Sequence, residues 1–200
     1  MANPVLARID LPLELEIALD LVAPQLADGP AAAIVATDEV TRQAAQSWFG
    51  FSAVEVNPHK RIGVVMPVPR VVAIDLDGDP SVYRTALELA VPGGRVALLG
   101  PGLIGSLRRG ASGQATRHSL SSALGLPSAL GRAGCRVQLD AGIGSPASAA
   151  FGALAAAASA AGRWRDADQM RVRYRQSLTP RPGGALANMR VVVGVMDSGG

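Results

Sequence analysis

The stretch from Val71 to Gly100, VVAIDLDGDPSVYRTALELAVPGGRVALLG, constrains the fold of this chain more than any other. Val71 to Leu76 is a run of β-branched and small apolar residues that ends at an Asp-rich turn, as a buried strand does. Pro80 to Ala90 reads as a helix, with Asp79 placed to cap it and proline at its first position. Pro92-Gly93-Gly94 is a turn signal, and Arg95 to Leu99 is a second buried strand. Strand, helix and strand in this order is the unit from which parallel sheets with helical crossovers are built.

The same alternation extends in both directions. Val5–Ile9 reads as a short strand and Leu13 to Leu26 as a helix with apolar residues at helical spacing, stopped by Gly29-Pro30. Ala31 to Ala36 is a strand, Thr37 caps a helix that runs to Phe49, and Ala53 to Val56 is a strand closed by Asn57-Pro58. Gly100 to Gly134 reads as a long Gly/Ser/Arg-rich loop region with short helices near Ser119 to Leu124 and Pro127 to Ala133. Beyond it lie a strand at Cys135 to Leu139, a helix at Pro146 to Ala161, an edge strand at Met170 to Tyr174, a turn at Arg181 to Gly184 and a last strand at Met189 to Met196. The expected architecture is a single α/β domain over residues 1–200, Rossmann-like and doubly wound, with a mostly parallel sheet.

Composition narrows the setting. With Cys135 as the only cysteine, no intramolecular disulfide can form, and the opening residues show no basic region followed by an apolar run, so a cytoplasmic protein is expected. The alanine-dominated tract from Pro146 to Gly162 is shorter than a membrane span. Residues 1–100 carry 7 basic and 12 acidic groups and residues 101–200 carry 12 and 4, which together give the net charge of +3. Such polarity favours an anionic ligand or an acidic partner over a uniform surface. No aromatic-interleaved basic stripe or nucleic-acid motif is present, so nucleic acid is not an expected partner, nor is a membrane.

The Val71–Gly100 stretch resembles the nucleotide-binding half of the medium-chain dehydrogenases. There a strand ends in a small-residue loop, an ALEL-type helix follows, and PGGR leads into the next strand. Ile34 to Pro58 is similar to that family's run from its second strand to a VNP strand end, and the segment from the Ala-rich helix to MRVVVGV is similar to its closing elements. The resemblance implies a dinucleotide-binding domain using NAD or NADP, with Asp38 as the ribose-binding acid. Two features depart from the family. Its β-rich catalytic half is absent, and so is the glycine-rich first turn, since Gly29 and Gly50 are the only glycines in the first 50 residues.

One G-x-G-x-x-G does occur, at Gly100, Gly102 and Gly105, directly after a strand. With Arg108 beyond it and Asp77 at the neighbouring strand end, it is the expected cofactor-binding loop at the sheet's C-terminal edge. Asp75-Leu76-Asp77-Gly78-Asp79 has its glycine at the fourth position, which rules out a calcium loop of the EF-hand type. A strand ending D-L-D-G also resembles the nucleophile motif of haloacid-dehalogenase-type phosphatases, but that family's later lysine is missing, Lys60 being the only lysine. His59 and His118 are not at metal-ligand spacing, so no metal is expected, and His118 is the expected general acid or base. Three readings of function result. They are a divergent NAD(P)-dependent oxidoreductase acting on a small metabolite, a non-catalytic Rossmann-like module, and an S-adenosylmethionine-dependent methyltransferase, whose PGGR strand with a following helix and strand is comparable. A homo-oligomer formed through the edge strand at Met170 to Tyr174, or a separate catalytic partner, completes the expectations.

Overall fold

The computed structural model describes residues 12–26, 32–49, 52–60, 66–103, 105, 117–183 and 186–198. Along the chain these form α1 (Leu13–Val22), β1 (Ala33–Val35), α2 (Glu39–Phe49), β2 (Val54–Val56), β3 (Val68–Ile74), α3 (Pro80–Leu89) and β4 (Ala90–Pro101). There follow α4 (Arg117–Arg132), β5 (Cys135–Ile143), α5 (Pro146–Ala160), α6 (Trp164–Ser177), β6 (Arg181–Pro182) and β7 (Met189–Met196). A single-turn 3-10 helix, Ala23–Gln25, extends α1. The strand expected at Val5–Ile9 and Arg108 lie outside the described residues.

One seven-stranded sheet has the order β2-β1-β3-β4-β7-β5-β6. β1 pairs in parallel with β2 and β3, and β3 with β4. β7 runs antiparallel between β4 and β5, which leaves β5 pointing the same way as β1 to β4. The sheet is doubly wound, and the alternation of its strands shows why. Ile34, Val72, Ile74, Ala97, Leu99, Val191 and Val193 face one core with Leu15 and Leu19 of α1 and Ala45 of α2. Ala33, Val35, Val71, Ala73, Val96, Leu98 and Val192 face the other with Val82, Ala86 and Leu89 of α3 and Leu126 and Leu130 of α4. Strands buried on both sides need continuous apolar runs, which is what these segments contain.

Several local expectations are corrected. The cap of α2 is Asp38 rather than Thr37, because its Oδ2 accepts from the Thr41 backbone N–H at 2.7 Å. Pro92-Gly93-Gly94 does not separate two elements. It lies within β4, with Gly93 at φ +75° next to a register shift opposite Val68 and Arg70. The one or two short helices expected near residues 119–124 and 127–133 are one continuous helix, α4, with Pro127 inside it. The expected edge strand at Met170–Tyr174 is part of α6. Its MRVRYR alternation imitates a strand, but Ala167, Met170 and Tyr174 recur at spacings of three and four and form the inner helix face. The Tyr174 ring lies 3.4 Å from where a Cβ on Gly152 would stand, which packs α6 on α5. No edge strand is therefore available there for pairing with another copy.

Ser145 caps α5 in a reciprocal box with Ser148. Ser145→Ala is expected to cost about 1 kcal/mol, read as a fall in melting temperature of about 2–4 °C for a chain of this size. Among the described residues no helix is long and apolar enough to cross a membrane.

Candidate functional site

β1 sits where the winding of the sheet reverses. Its crossover through α2 leads outward to β2, whereas β3, its other neighbour, leads through α3 on the opposite face to β4. Open α/β sheets bind ligands in the crevice beyond the strand ends at such a point. Here that crevice is a cavity of about 290 Å³ lined by Ala36, Thr37, Asp38 and Thr41 on the β1 side and Ile74, Leu76 and Asp77 on the β3 side.

The β1 wall is held from behind. The Arg42 guanidinium, 5% exposed, donates to the carbonyls of Ala36 and Thr37 at 2.6 and 3.0 Å. Its Nε lies 3.5 Å from the Glu55 carboxylate on β2. Asn57, just past β2, donates to the Thr37 carbonyl at 3.1 Å. Asp38 turns one carboxylate oxygen back to the backbone N–H and hydroxyl of Thr41, both at 2.7 Å. The Thr41 hydroxyl bond does most to hold the Asp38 carboxyl below its ordinary range, against a smaller upward push from burial.

The β3 wall is organised by Asp75, which is 2% exposed. Its Oδ1 accepts from the backbone N–H groups of Asp77, Gly78 and Asp79 at 3.1, 2.7 and 2.9 Å. Gly78 makes this turn possible with φ +81°. Oδ2 is buried without a partner at hydrogen-bond geometry, and burial pushes the carboxyl's pKa above the usual carboxylate range, outweighing the three N–H bonds and the smaller effect of the Tyr83 hydroxyl. Asp79 caps α3 by accepting from Ser81 N–H at 2.9 Å, and its other oxygen meets His59 Nε2 at 2.5 Å. Burial pulls the Asp79 carboxyl up, but the bonds from Ser81 and His59 together prevail and hold it low.

These contacts define what the crevice can bind. Among the described residues its lining holds two carboxylates, Asp38 and Asp77, and no cationic side chain. The N–H groups of Thr41, Asp77, Gly78 and Asp79 are already committed to Asp38 and Asp75. A pyrophosphate would meet two carboxylates, with the N–H groups of Thr41 and Asp77 already spent. A cation or a hydroxyl-bearing ligand would find acceptors.

The structure brings Asp38 and Asp77 together and sets the glycines apart. A Cβ on Gly100 would lie 2.0 Å from the Tyr83 hydroxyl oxygen, on Gly102 2.2 Å from the Ala187 carbonyl oxygen, and on Gly105 2.1 Å from that of Asn188. Gly102 N–H donates to Asn188 O and Gly105 N–H to Ala187 O. Gly102 and Gly105 permit backbone contact with the segment entering β7, where their two N–H groups are spent, whereas Gly100 leaves room for the Tyr83 hydroxyl. His118 lies in the first turn of α4, and its side chain falls outside what is described. Among the described residues no cluster of three metal-ligating side chains exists. Sequence reasoning passed over Ala36, Thr37, Arg42 and Asn57, because none belongs to a motif. The Asn57-Pro58 strand end was their one legible signal.

No family model matches the chain, and no curated protein does. Among solved structures, the chain is similar to a SAM-dependent methyltransferase of Thermotoga maritima described as a possible histamine N-methyltransferase. The TM-score is 0.54 at 10% identity, over 92% of this chain and 90% of that one. It is also similar to the Haloferax volcanii complex of the Trm112 methyltransferase activator with a protein assigned as a methyltransferase. There the TM-score is 0.51 at 11% identity, over 94% and 90% of the two chains. The shared feature at this level of identity is the fold. It overturns the resemblance to medium-chain dehydrogenases, and with it the oxidoreductase reading and NAD or NADP as cofactor. The antiparallel β7 between β4 and β5 departs from the classic dinucleotide order of strands. The Ile34–Pro58 segment, taken from the dehydrogenase pattern as a second strand and its sequel, instead begins at the central strand of the switch point.

Proposed function

We propose that this chain is a methyltransferase-type domain that binds S-adenosylmethionine in the crevice between the ends of β1 and β3. The observation that carries the reading is the crevice itself. It lies at the switch point and is lined by two carboxylates, in a fold shared with a SAM-dependent methyltransferase. Asp38 and Asp77 suit an ammonium, a sulfonium or ribose hydroxyls, and Ala36, Ile74 and Leu76 supply apolar wall for a purine. Residues with side chains at the β1 turn, in place of glycines, keep the backbone further from the ligand than a glycine turn would. When bound, the group supplies an electrophilic methyl. Asp38 and Asp77 orient its cationic part, and the Asp75-held loop keeps Asp77 in place.

Thermal-shift titration tests this directly. At a concentration about 100 times the dissociation constant, S-adenosylmethionine or S-adenosylhomocysteine stabilises by about 2.7 kcal/mol, a rise of roughly 5–10 °C. NAD and NADP give no rise. Asp77→Asn shrinks the response to S-adenosylmethionine more than the response to S-adenosylhomocysteine, whose thioether lacks the sulfonium charge. Absence of any shift at millimolar S-adenosylmethionine overturns the proposal. It would favour a second reading, a non-catalytic Rossmann-like module, for which the side-chain-bearing β1 turn and the small volume of the crevice speak.

A further inference from the structure

α5 and α6 form a hairpin whose two helices pack chiefly against each other, at the β5 end of the sheet. α5 carries no charged residue, yet much of it faces outward. Ala147, Ala150, Ala153 and Ala157 are exposed, and Leu154 is 54% exposed. An uncharged helix left open on one side is unusual in a soluble domain. The first residue of α6 is Trp164, 64% exposed, between Arg163 and Arg165.

Along α6 and just past it, six arginines stand against two aspartates between residues 163 and 181, a net charge of +4. Asp166 pairs with Arg163 at 3.5 Å and Asp168 with Arg171 at 2.9 Å. Both carboxylates are thereby neutralised. Arg165, Arg173, Arg175 and Arg181 are exposed and have no ion pair among the described residues. Val172, 56% exposed, lies among them.

We propose that the α5–α6 hairpin docks on an anionic membrane surface, with Trp164 and the open face of α5 entering the headgroup region and the arginines meeting lipid phosphates. A nucleic acid would match the arginines but leave the apolar flank of α5 and Leu154 in water. A second copy of this chain would need an acidic face opposite the arginines. An anionic bilayer interface offers both anionic headgroups and an apolar boundary, and an exposed tryptophan between arginines is the residue pattern that such an interface holds. This inference stands apart from the β1–β3 crevice.

Co-sedimentation of the full chain with phospholipid vesicles tests it. The chain is expected to sediment with vesicles containing one-third phosphatidylglycerol, to remain in solution with pure phosphatidylcholine, and to be released by high salt. Trp164 emission, read as the difference between the wild type and Trp164→Phe, moves to the blue on binding. Arg165→Gln with Arg173→Gln lowers partitioning about 30-fold, the loss of two arginines from an anionic surface. Circular dichroism of these exposed-site variants verifies that they are folded. No binding to the anionic vesicles overturns the proposal, as does binding to a short RNA in place of vesicles. Vesicle binding indifferent to the arginine and tryptophan substitutions removes it from this face.

Discussion

Asp75→Ala is expected to lower stability by about 3 kcal/mol, since three hydrogen bonds to one carboxylate oxygen are lost together. The Asp77–Asp79 turn would lose the acceptor that gathers its N–H groups. Urea denaturation reads the change as a lower midpoint. Asp75→Asn separates geometry from charge. Its carbonyl oxygen can accept the same three bonds, and its amide takes the place of the buried Oδ2. The pH dependence gives an independent check. The folded carboxyl holds its proton more tightly than the unfolded one, so this residue costs nothing at acid pH. It removes stability as pH rises through the ordinary carboxylate range to the raised folded value. Asp75→Asn abolishes that loss, making the variant relatively more stable at neutral than at acid pH. If alanine and asparagine prove equally damaging at neutral pH, the three N–H bonds do not organise the loop.

Gly102→Ala is expected to be nearly as costly, at about 2–3 kcal/mol of overpacking. The added methyl would stand 2.2 Å from the carbonyl oxygen and 2.7 Å from the carbonyl carbon of Ala187. Both are backbone atoms, so no side chain can swing aside. The hydrogen bond from Gly102 N–H to Asn188 O would be pushed apart as well. Gly125→Ala is the control. It lies inside α4 with nothing within 4 Å of the new methyl, and is expected to stabilise by about 0.5–1 kcal/mol. Chemical denaturation of both variants decides the point. A Gly102→Ala protein as stable as the wild type would show that the segment around Ala187 yields.

The two residues also mark where reading the sequence succeeded and failed. Asp75 was placed at a strand end by the apolar run before it, and Asp79 as a cap by the proline after it, because such signals are local. The meaning of Gly100, Gly102 and Gly105 was not local. Their spacing resembles a phosphate loop, but the reason for their lack of side chains lies elsewhere in the chain, at Tyr83 for Gly100 and at Ala187 and Asn188 for Gly102 and Gly105. The same limit applied to α6. Period-two alternation over MRVRYR was visible in sequence, whereas the α5 surface that selects its helical face was not. Asp38 was legible as an acid at the start of a helix, and only the position of β1 in the sheet placed it on the crevice wall.

What the sequence determined by itself is the alternation of buried strands and amphipathic helices, because hydrophobic period and capping chemistry act within a few residues. That was enough for a doubly wound α/β sheet. Strand order, the antiparallel insertion of β7 between β4 and β5, and the joining of Asp38 to Asp77 were decided by tertiary structure. The physical reason is that parallel neighbours are joined by long crossovers, and local preferences do not specify which strand a crossover will reach. The ligand crevice belongs to that second category, since it lies between two strand ends that sequence holds nearly forty residues apart.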